Sequence, residues 1–110
     1  MQPRRIAALV KEAAEDKKAE SPIVLDIGKL TSIAHFFVVT HGNSEPHVRA
    51  IAYNIIDTCK SKKVSLLHSE GLDSAKWILL DFGSVVAHIF YKDLREFYGL
   101  ERLWGEAKQF

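Results

Sequence analysis

The chain has 110 residues and a formal net charge of +1, with 47% hydrophobic and 26% charged residues. This length predicts one domain spanning 1–110, and the composition is that of a globular protein rather than a disordered or membrane-spanning one. A non-specific nucleic-acid binder usually carries a strong basic excess, which this chain lacks. The short lysine clusters at 17–18 and 60–63 are interpreted as solvated helix ends, although a direct contact with RNA stays open.

The only cysteine, Cys59, cannot form an internal disulfide, so a reducing compartment fits the chain best. No motif marks this thiol as a nucleophile, and we interpret it as a small buried residue on a helix. No apolar run approaches the ~18 residues of a membrane span, and acidic residues near the N-terminus argue against a transit peptide. We therefore expect a cytoplasmic protein, and the short N-terminal segment favours a bacterial one.

The first elements are predicted to be a helix and two strands. Residues 4–19 predict an amphipathic helix, because apolar side chains recur at helical spacing and charges fill the other face. Pro22 is expected to end this helix, since the residue before a proline is pushed out of the helical region. The β-branched and aromatic runs at 23–27 and 35–40 predict two strands.

The rest of the chain is predicted to form a second helix, a strand, a hairpin and a helical tail. Ser44 is a credible N-cap for a helix over 45–62, whose apolar residues share one face. The run 64–71 predicts a third strand, 76–91 a β-hairpin, and 92–110 two short helices separated by a glycine. This order favours an α/β fold with a mixed sheet of about five strands and helices packed on it. The second helix would form a right-handed crossover if the strands flanking it are parallel.

The hairpin "KWILLDFGSVVAHIFY" divides its side chains between two faces. Gly83-Ser84 predicts a two-residue turn with glycine first, which pairs Trp77 with Phe90 and places Asp81 diagonal to His88. Because side chains alternate along a strand, one face is purely apolar and must be core: Ile78, Leu80, Phe82, Val85, Ala87 and Ile89. The other, which we call the mixed face, is expected to be partly open to water or to a partner: Trp77, Leu79, Asp81, Val86, His88 and Phe90.

Catalysis and metal binding are both poorly supported by the motifs present. A catalytic Asp81–His88 pair would need a nucleophile, and no motif supplies one. None of the five histidines shows the spacing of a helical zinc motif. "HGNS" before a helix resembles a phosphate-binding turn, but the paired carboxylates of a nucleotidyltransferase are missing from the next strand. The mixed face is therefore interpreted as a protein-docking surface, where aromatic residues rimmed by polar groups are typical.

Four segments together resemble the ribosomal silencing factor family (RsfS, also called Iojap): "LDIGKLTSIAHFFVVTHGNS", "VRAIA", "EG…WILLDFGSVVAHIFY" and "REFYGLERLWGEA". The resemblance implies an α/β fold like the nucleotidyltransferase core without its catalytic carboxylates, no enzymatic activity and no cofactor. It implies binding to the large ribosomal subunit through large-subunit ribosomal protein fourteen, which sterically blocks joining of the small subunit. Translation then falls in starvation or stationary phase. Organelle relatives act in large-subunit assembly, and free members are commonly homodimers.

The family's signatures fall on the hairpin and on the tail of this chain. The hairpin positions that match are Trp77, Leu79, Asp81, Gly83, His88 and Phe90, and the tail positions are Tyr98, Leu100, Glu101, Leu103 and Trp104. The chain departs from the family's pattern at His35, where an acidic residue is common, and at 45–47, where the helix often opens with a more basic stretch.

The predicted partner-binding residues are Trp77, Leu79, Asp81, His88, Phe90, Arg95 and Tyr98. Trp77 and Phe90 are expected to be the main apolar contacts, since aromatic residues tend to dominate interface energy. Asp81 and His88 would set polarity and register. In the alternative, the segment "LERLW" covers Trp77 and Phe90 and makes them core, and Trp104 holds the chain end on its own sheet or on a dimer mate. A large-subunit assembly factor and a divergent nucleotidyltransferase are the alternative functions.

Overall fold

A computed structural model describes residues 1–110 as a six-stranded mixed sheet with helices on both faces. The elements in chain order are α1 (Pro3–Asp16), β1 (Glu20–Asp26), β2 (Phe36–Gly42), α2 (Glu45–Ser61), β3 (His68–Glu70), β4 (Trp77–Asp81), β5 (Val85–Tyr91), α3 (Lys92–Tyr98), α4 (Leu100–Leu103) and β6 (Lys108–Gln109). The strand order is β3-β4-β5-β2-β1-β6, and only β2 and β5 are parallel neighbours. The predicted α/β class with a mixed sheet is confirmed. No helix has the length and apolar character needed to cross a membrane.

The first helix is shorter than predicted. It ends at Asp16, and Lys18 takes a left-handed conformation with φ of 59° that turns the chain towards the sheet. The strand β1 then begins at Glu20, so Pro22 lies inside a strand and does not terminate the helix. The ladder with β2 is interrupted by a bulge between Glu20 and Ile23, which is where a proline can be tolerated in a sheet.

The second helix begins as predicted, whereas the strand after it is much shorter than expected. The Ser44 hydroxyl accepts a hydrogen bond from the His47 N–H at 3.2 Å and caps α2. Val64 still belongs to the turn that ends α2, since its N–H bonds to the Cys59 carbonyl at 2.8 Å. The third strand is therefore only β3, at the sheet edge. Cys59 is buried on α2 as predicted, and burial raises the pKa of its thiol to about 11.

The hairpin has the predicted register. Trp77 pairs with Phe90 and Leu79 with His88, and Gly83 has the positive φ, 91°, expected at the first turn position. The whole apolar face lies in a cluster of 21 buried residues under α1 and α2, which we call the first core.

The opposite face of the sheet carries a second core of eight buried residues: Leu25, Ile27, Ala34, Phe37, Val39, Val86, Phe90 and Ala107. Residues 92–110 are here called the tail; up to Ala107 the tail lies over this face and contributes the half-buried Leu94, Leu100 and Trp104. The end of the tail forms β6 along β1, pairing Gln109 with Leu25. This added strand is why the sheet has six strands rather than about five.

Candidate functional site

The mixed face of the hairpin is not an open surface. Phe90 is 0% exposed and His88 is 4% exposed, and Val86 is buried as well. Their predicted exposure is wrong: Tyr98 of the tail stacks on Phe90 with 6.0 Å between ring centroids, and the rings of Trp77 and Phe37 flank His88. Neither Phe90 nor His88 can contact a partner while the tail is in place. Trp104 packs edge-to-face on Phe37 at 5.9 Å, so it holds the chain end on its own sheet.

His88 is a buried, neutral imidazole that holds Trp77. Its Nδ1 accepts a hydrogen bond from Nε1–H of Trp77 at 3.1 Å, so the ring proton lies on Nε2. Nε2 has no hydrogen-bond partner, and the Phe37 ring stands edge-on to the imidazole at 4.5 Å. Burial lowers the pKa of His88 to about 4. This arrangement fixes the orientation of the indole and supplies no acid–base pair.

Asp81 does not form the ion pair with His88 that its diagonal position suggested. Its carboxylate accepts the Gly83 N–H at 2.7 Å and stabilises the hairpin turn. Asp81 pairs with Val86 near the start of β5, whereas Gly42 of the "HGNS" turn pairs with Tyr91 at the end of that strand. Asp81 and the "HGNS" turn, which a nucleotidyltransferase would have to combine, therefore lie at opposite ends of β5.

Trp77, Leu79 and Asp81 lie at the margin of the second core and stay half exposed. The Trp77 ring packs on Phe90 at 5.0 Å and on Tyr98 at 4.7 Å. Tyr98 is itself 48% exposed, so the two rings form a continuous apolar surface that joins β4 to α3.

Phe97 extends this surface, and sequence reasoning missed it. The ring is 74% exposed and stands edge-to-face on Tyr98 at 5.3 Å. The signal was present in the sequence, since two adjacent aromatic residues on a helix cannot both face the core. We call Trp77, Leu79, Phe97 and Tyr98 the docking surface.

Arg95, predicted as a partner contact, is held within the chain instead. Its side chain is only 11% exposed, and its Nε donates to the Glu101 carboxylate at 2.7 Å. Nη1 donates to the Glu20 carbonyl and to Nδ1 of His41, each at 3.1 Å. We call Arg95, Glu101, His41 and the Glu20 carbonyl the Arg95 cluster.

A groove of about 600 Å³ lies beside the Arg95 cluster. It is lined by His41, Asn43, Lys92, Asp93, Arg95, Glu96, Gly99, Glu101 and Arg102. Ligand pockets are usually lined mostly by hydrophobic side chains with a few placed polar groups, and none of the residues that line this groove is hydrophobic. The acids and bases in it balance one another, and no group of three or more metal-binding side chains comes together anywhere in the chain.

Comparisons with known proteins agree in pointing to one family. A family model described as "Ribosomal silencing factor during starvation" (RsfS) matches residues 1–110. The ribosomal silencing factor RsfS of Bacillus subtilis is 40% identical over 107 residues, covering 97% of this chain and 91% of that protein. Mouse "Mitochondrial assembly of ribosomal large subunit protein 1" is 35% identical over 72 residues, which cover 63% of this chain and 32% of the mouse protein. A crystal structure of a Chromobacterium violaceum protein superimposes with a TM-score of 0.93 at 38% identity, covering 96% of this chain and 88% of that one.

Proposed function

Because the chain belongs to the ribosomal silencing factor family, RsfS, whose members are non-catalytic ribosome-binding regulators, we propose that it silences translation by binding the large ribosomal subunit. In this proposal the chain, acting as a single domain, contacts large-subunit ribosomal protein fourteen. Once bound, it sterically prevents the small subunit from joining in starvation or stationary phase. A minor contact with ribosomal RNA is compatible with this position.

The observation that carries the proposal is the exposed aromatic surface formed by Trp77, Tyr98 and Phe97. Aromatic side chains give large contact areas at low entropic cost and dominate the energy of many protein interfaces. The rings rest on the second core, so they are held in place before a partner arrives. In this arrangement Trp77, Leu79 and Tyr98 contact the partner and Asp81 lies beside them. His88 and Phe90 act from beneath by supporting Trp77.

The proposal is tested by co-sedimentation of purified variants with isolated large subunits, followed by a subunit-joining assay. Trp77→Ala is expected to cost on the order of 2 kcal/mol of binding, or roughly 30-fold in affinity. Phe97→Ala should weaken binding less and leave the fold unchanged, since its side chain is mostly exposed. Both variants should restore subunit joining.

The matched control is Tyr53→Ala, which removes an exposed aromatic ring from α2 on the other side of the sheet. Its affinity for large subunits should stay close to that of the wild type. If Trp77→Ala co-sediments as the wild type does, the docking surface is assigned wrongly.

A large-subunit assembly factor without a silencing role is the second candidate, favoured by the similarity to the mouse protein named for assembly of the large ribosomal subunit. Sucrose-gradient profiles of a deletion strain separate the two functions. Accumulated precursor subunits favour assembly, whereas normal subunits with poor survival of starvation favour silencing.

We also propose that the free protein is a homodimer that covers its docking surface. Phe97→Ala should then shift sedimentation velocity towards the monomer. An unchanged dimer would place the dimer contact elsewhere on the chain.

A further inference from the structure

Arg95 connects three separate parts of the chain. It lies on α3, and its guanidinium reaches Glu101 on α4, the Glu20 carbonyl on β1 and His41 on β2. Hydrogen bonds from a charged donor are stronger than neutral ones, and this guanidinium is largely withdrawn from water. The Arg95 cluster therefore fixes the tail to the sheet at the end of the strands β1 and β2.

The tail depends on such contacts because its helices are short. The helix α3 has seven residues and α4 has four, and neither contains a buried residue. Helices of this length are not stable alone in water. The junction between them is Gly99 in a left-handed conformation with φ of 62°, so the direction of each helix is set by what it packs against.

Arg95 also lies close enough to the docking surface to hold Tyr98 in position. Tyr98 follows Arg95 by three residues on the same helix, so the two side chains project from neighbouring positions on one face. Tyr98 and Phe97 contribute the part of the docking surface that comes from α3, and Tyr98 packs directly on Trp77 of β4. Correct assembly of the surface requires these two elements to be held at a fixed separation.

We propose that Arg95 is a positioning residue of the docking surface: the Arg95 cluster holds the tail on the sheet and thereby sets Tyr98 against Trp77. The inference rests on the proposed function, because that function defines what the surface is for. It also changes the role of Arg95, which acts through Tyr98 and makes no contact with the partner.

His41 completes the cluster as an acceptor. Its Nδ1 receives Nη1–H of Arg95, so the neutral ring carries its proton on Nε2. Burial and then the Arg95 charge lower the pKa of His41, against smaller raising effects from Glu20 and Glu101. His41 therefore remains an acceptor at neutral pH, and the cluster is intact under those conditions.

The test uses Arg95→Gln in a Trp104→Phe background, where Trp77 is the only tryptophan. In the free monomer, at dilutions where sedimentation velocity detects no dimer, its emission should move to longer wavelength and acrylamide quenching should increase, because Tyr98 no longer covers the indole. Affinity for large subunits should fall by about tenfold, and Arg95→Lys should restore it only in part, since an ammonium cannot reproduce the guanidinium fork.

Arg102→Gln is the matched control. Arg102 lines the same groove, but its guanidinium reaches only the Glu96 carbonyl at 3.5 Å. This variant should change neither the Trp77 fluorescence nor the affinity. If Arg95→Gln does not fold, as judged by circular dichroism, Glu101→Gln removes the carboxylate charge that Arg95 pairs with and should produce smaller changes in the same direction in both measurements.

Two results would overturn the inference. Weakened binding with unchanged fluorescence of the free protein would make Arg95 a direct contact, and wild-type binding by Arg95→Gln would remove its role altogether. Failure of the proposed function would give a different pattern. Trp77→Ala and Arg95→Gln would then both bind large subunits as the wild type does, while the Trp77 fluorescence of Arg95→Gln would still shift.

Discussion

The two faces of the sheet are covered by very different structures. One face lies under α1 and α2, helices of 14 and 17 residues, and its first core of 21 residues contains no charged side chain. The other lies under the short helices of the tail, and its second core of eight residues borders a buried imidazole with an unpartnered nitrogen. The second face continues into an exposed surface built from the adjoining rings of Trp77, Tyr98 and Phe97.

Because of this difference, neighbouring residues of one strand can serve different purposes, one stabilising the fold and the other contacting a partner. Leu79 and Leu80 are adjacent on β4, yet Leu80 is fully buried in the first core and Leu79 lies beside Trp77 at the margin of the second. Chemistry and sequence position are nearly the same for both. The side of the sheet decides which property each residue serves, and substitutions can test that division directly.

The largest expected effect is in the first core. Leu80→Ala should lower the free energy of unfolding by roughly 4 kcal/mol, because it leaves a cavity that rigid neighbours cannot fill. Leu79→Ala should lower it by about 1 kcal/mol while weakening large-subunit binding. Urea denaturation and co-sedimentation measure both quantities. Equal losses of stability would show that the two faces do not differ in this way.

The next effect concerns acid stability of the second core. The pKa of His88 is lowered to about 4 from an ordinary value of 6.5. Between these pH values His88 is protonated in the unfolded chain but stays neutral in the folded chain. Stability should therefore fall as pH drops from about 6.5 to about 4, by at most ~3 kcal/mol from this group. Urea denaturation across that range measures it, and His88→Gln should show a shallower dependence. An identical slope in this variant would assign the acid sensitivity to other groups.

The smallest effect tests whether a loss of stability on the first face leaves the affinity for large subunits unchanged. Ser44→Ala removes the cap of α2 and should cost about 1 kcal/mol of stability, since the His47 N–H loses its acceptor. Affinity for large subunits should not change, because α2 lies on the face away from the docking surface. A loss of binding would reveal coupling between the two faces.

Local patterns were sufficient to predict the elements that carry strong signals. The glycine at the hairpin turn and the alternation of side chains predicted the register from Trp77 to Phe90, and Ser44 marked the start of α2. The strand β6 was missed because two residues carry no periodicity. The end of α1 was misplaced because the left-handed Lys18 leaves no mark in the sequence.

The errors at the candidate site have one common cause. Tyr98 covers Phe90 and also packs on Trp77 of the neighbouring strand, whereas His88 is covered by Trp77 and by Phe37 of β2, a strand far away along the chain. Arg95 likewise finds its partners on β1 and β2, more than 50 residues away. Periodicity identifies the face on which a side chain lies, but contacts between distant segments decide whether that face is covered.

The two edge strands of the sheet have a consequence for self-association. The strand β3 has three residues and carries the His68–Glu70 pair, and β6 has two residues that include Lys108. Short edge strands with charged side chains offer few free backbone groups to another chain and so oppose edge-to-edge aggregation. Two copies of this chain would therefore associate through side-chain surfaces, which can separate again without breaking a continuous sheet.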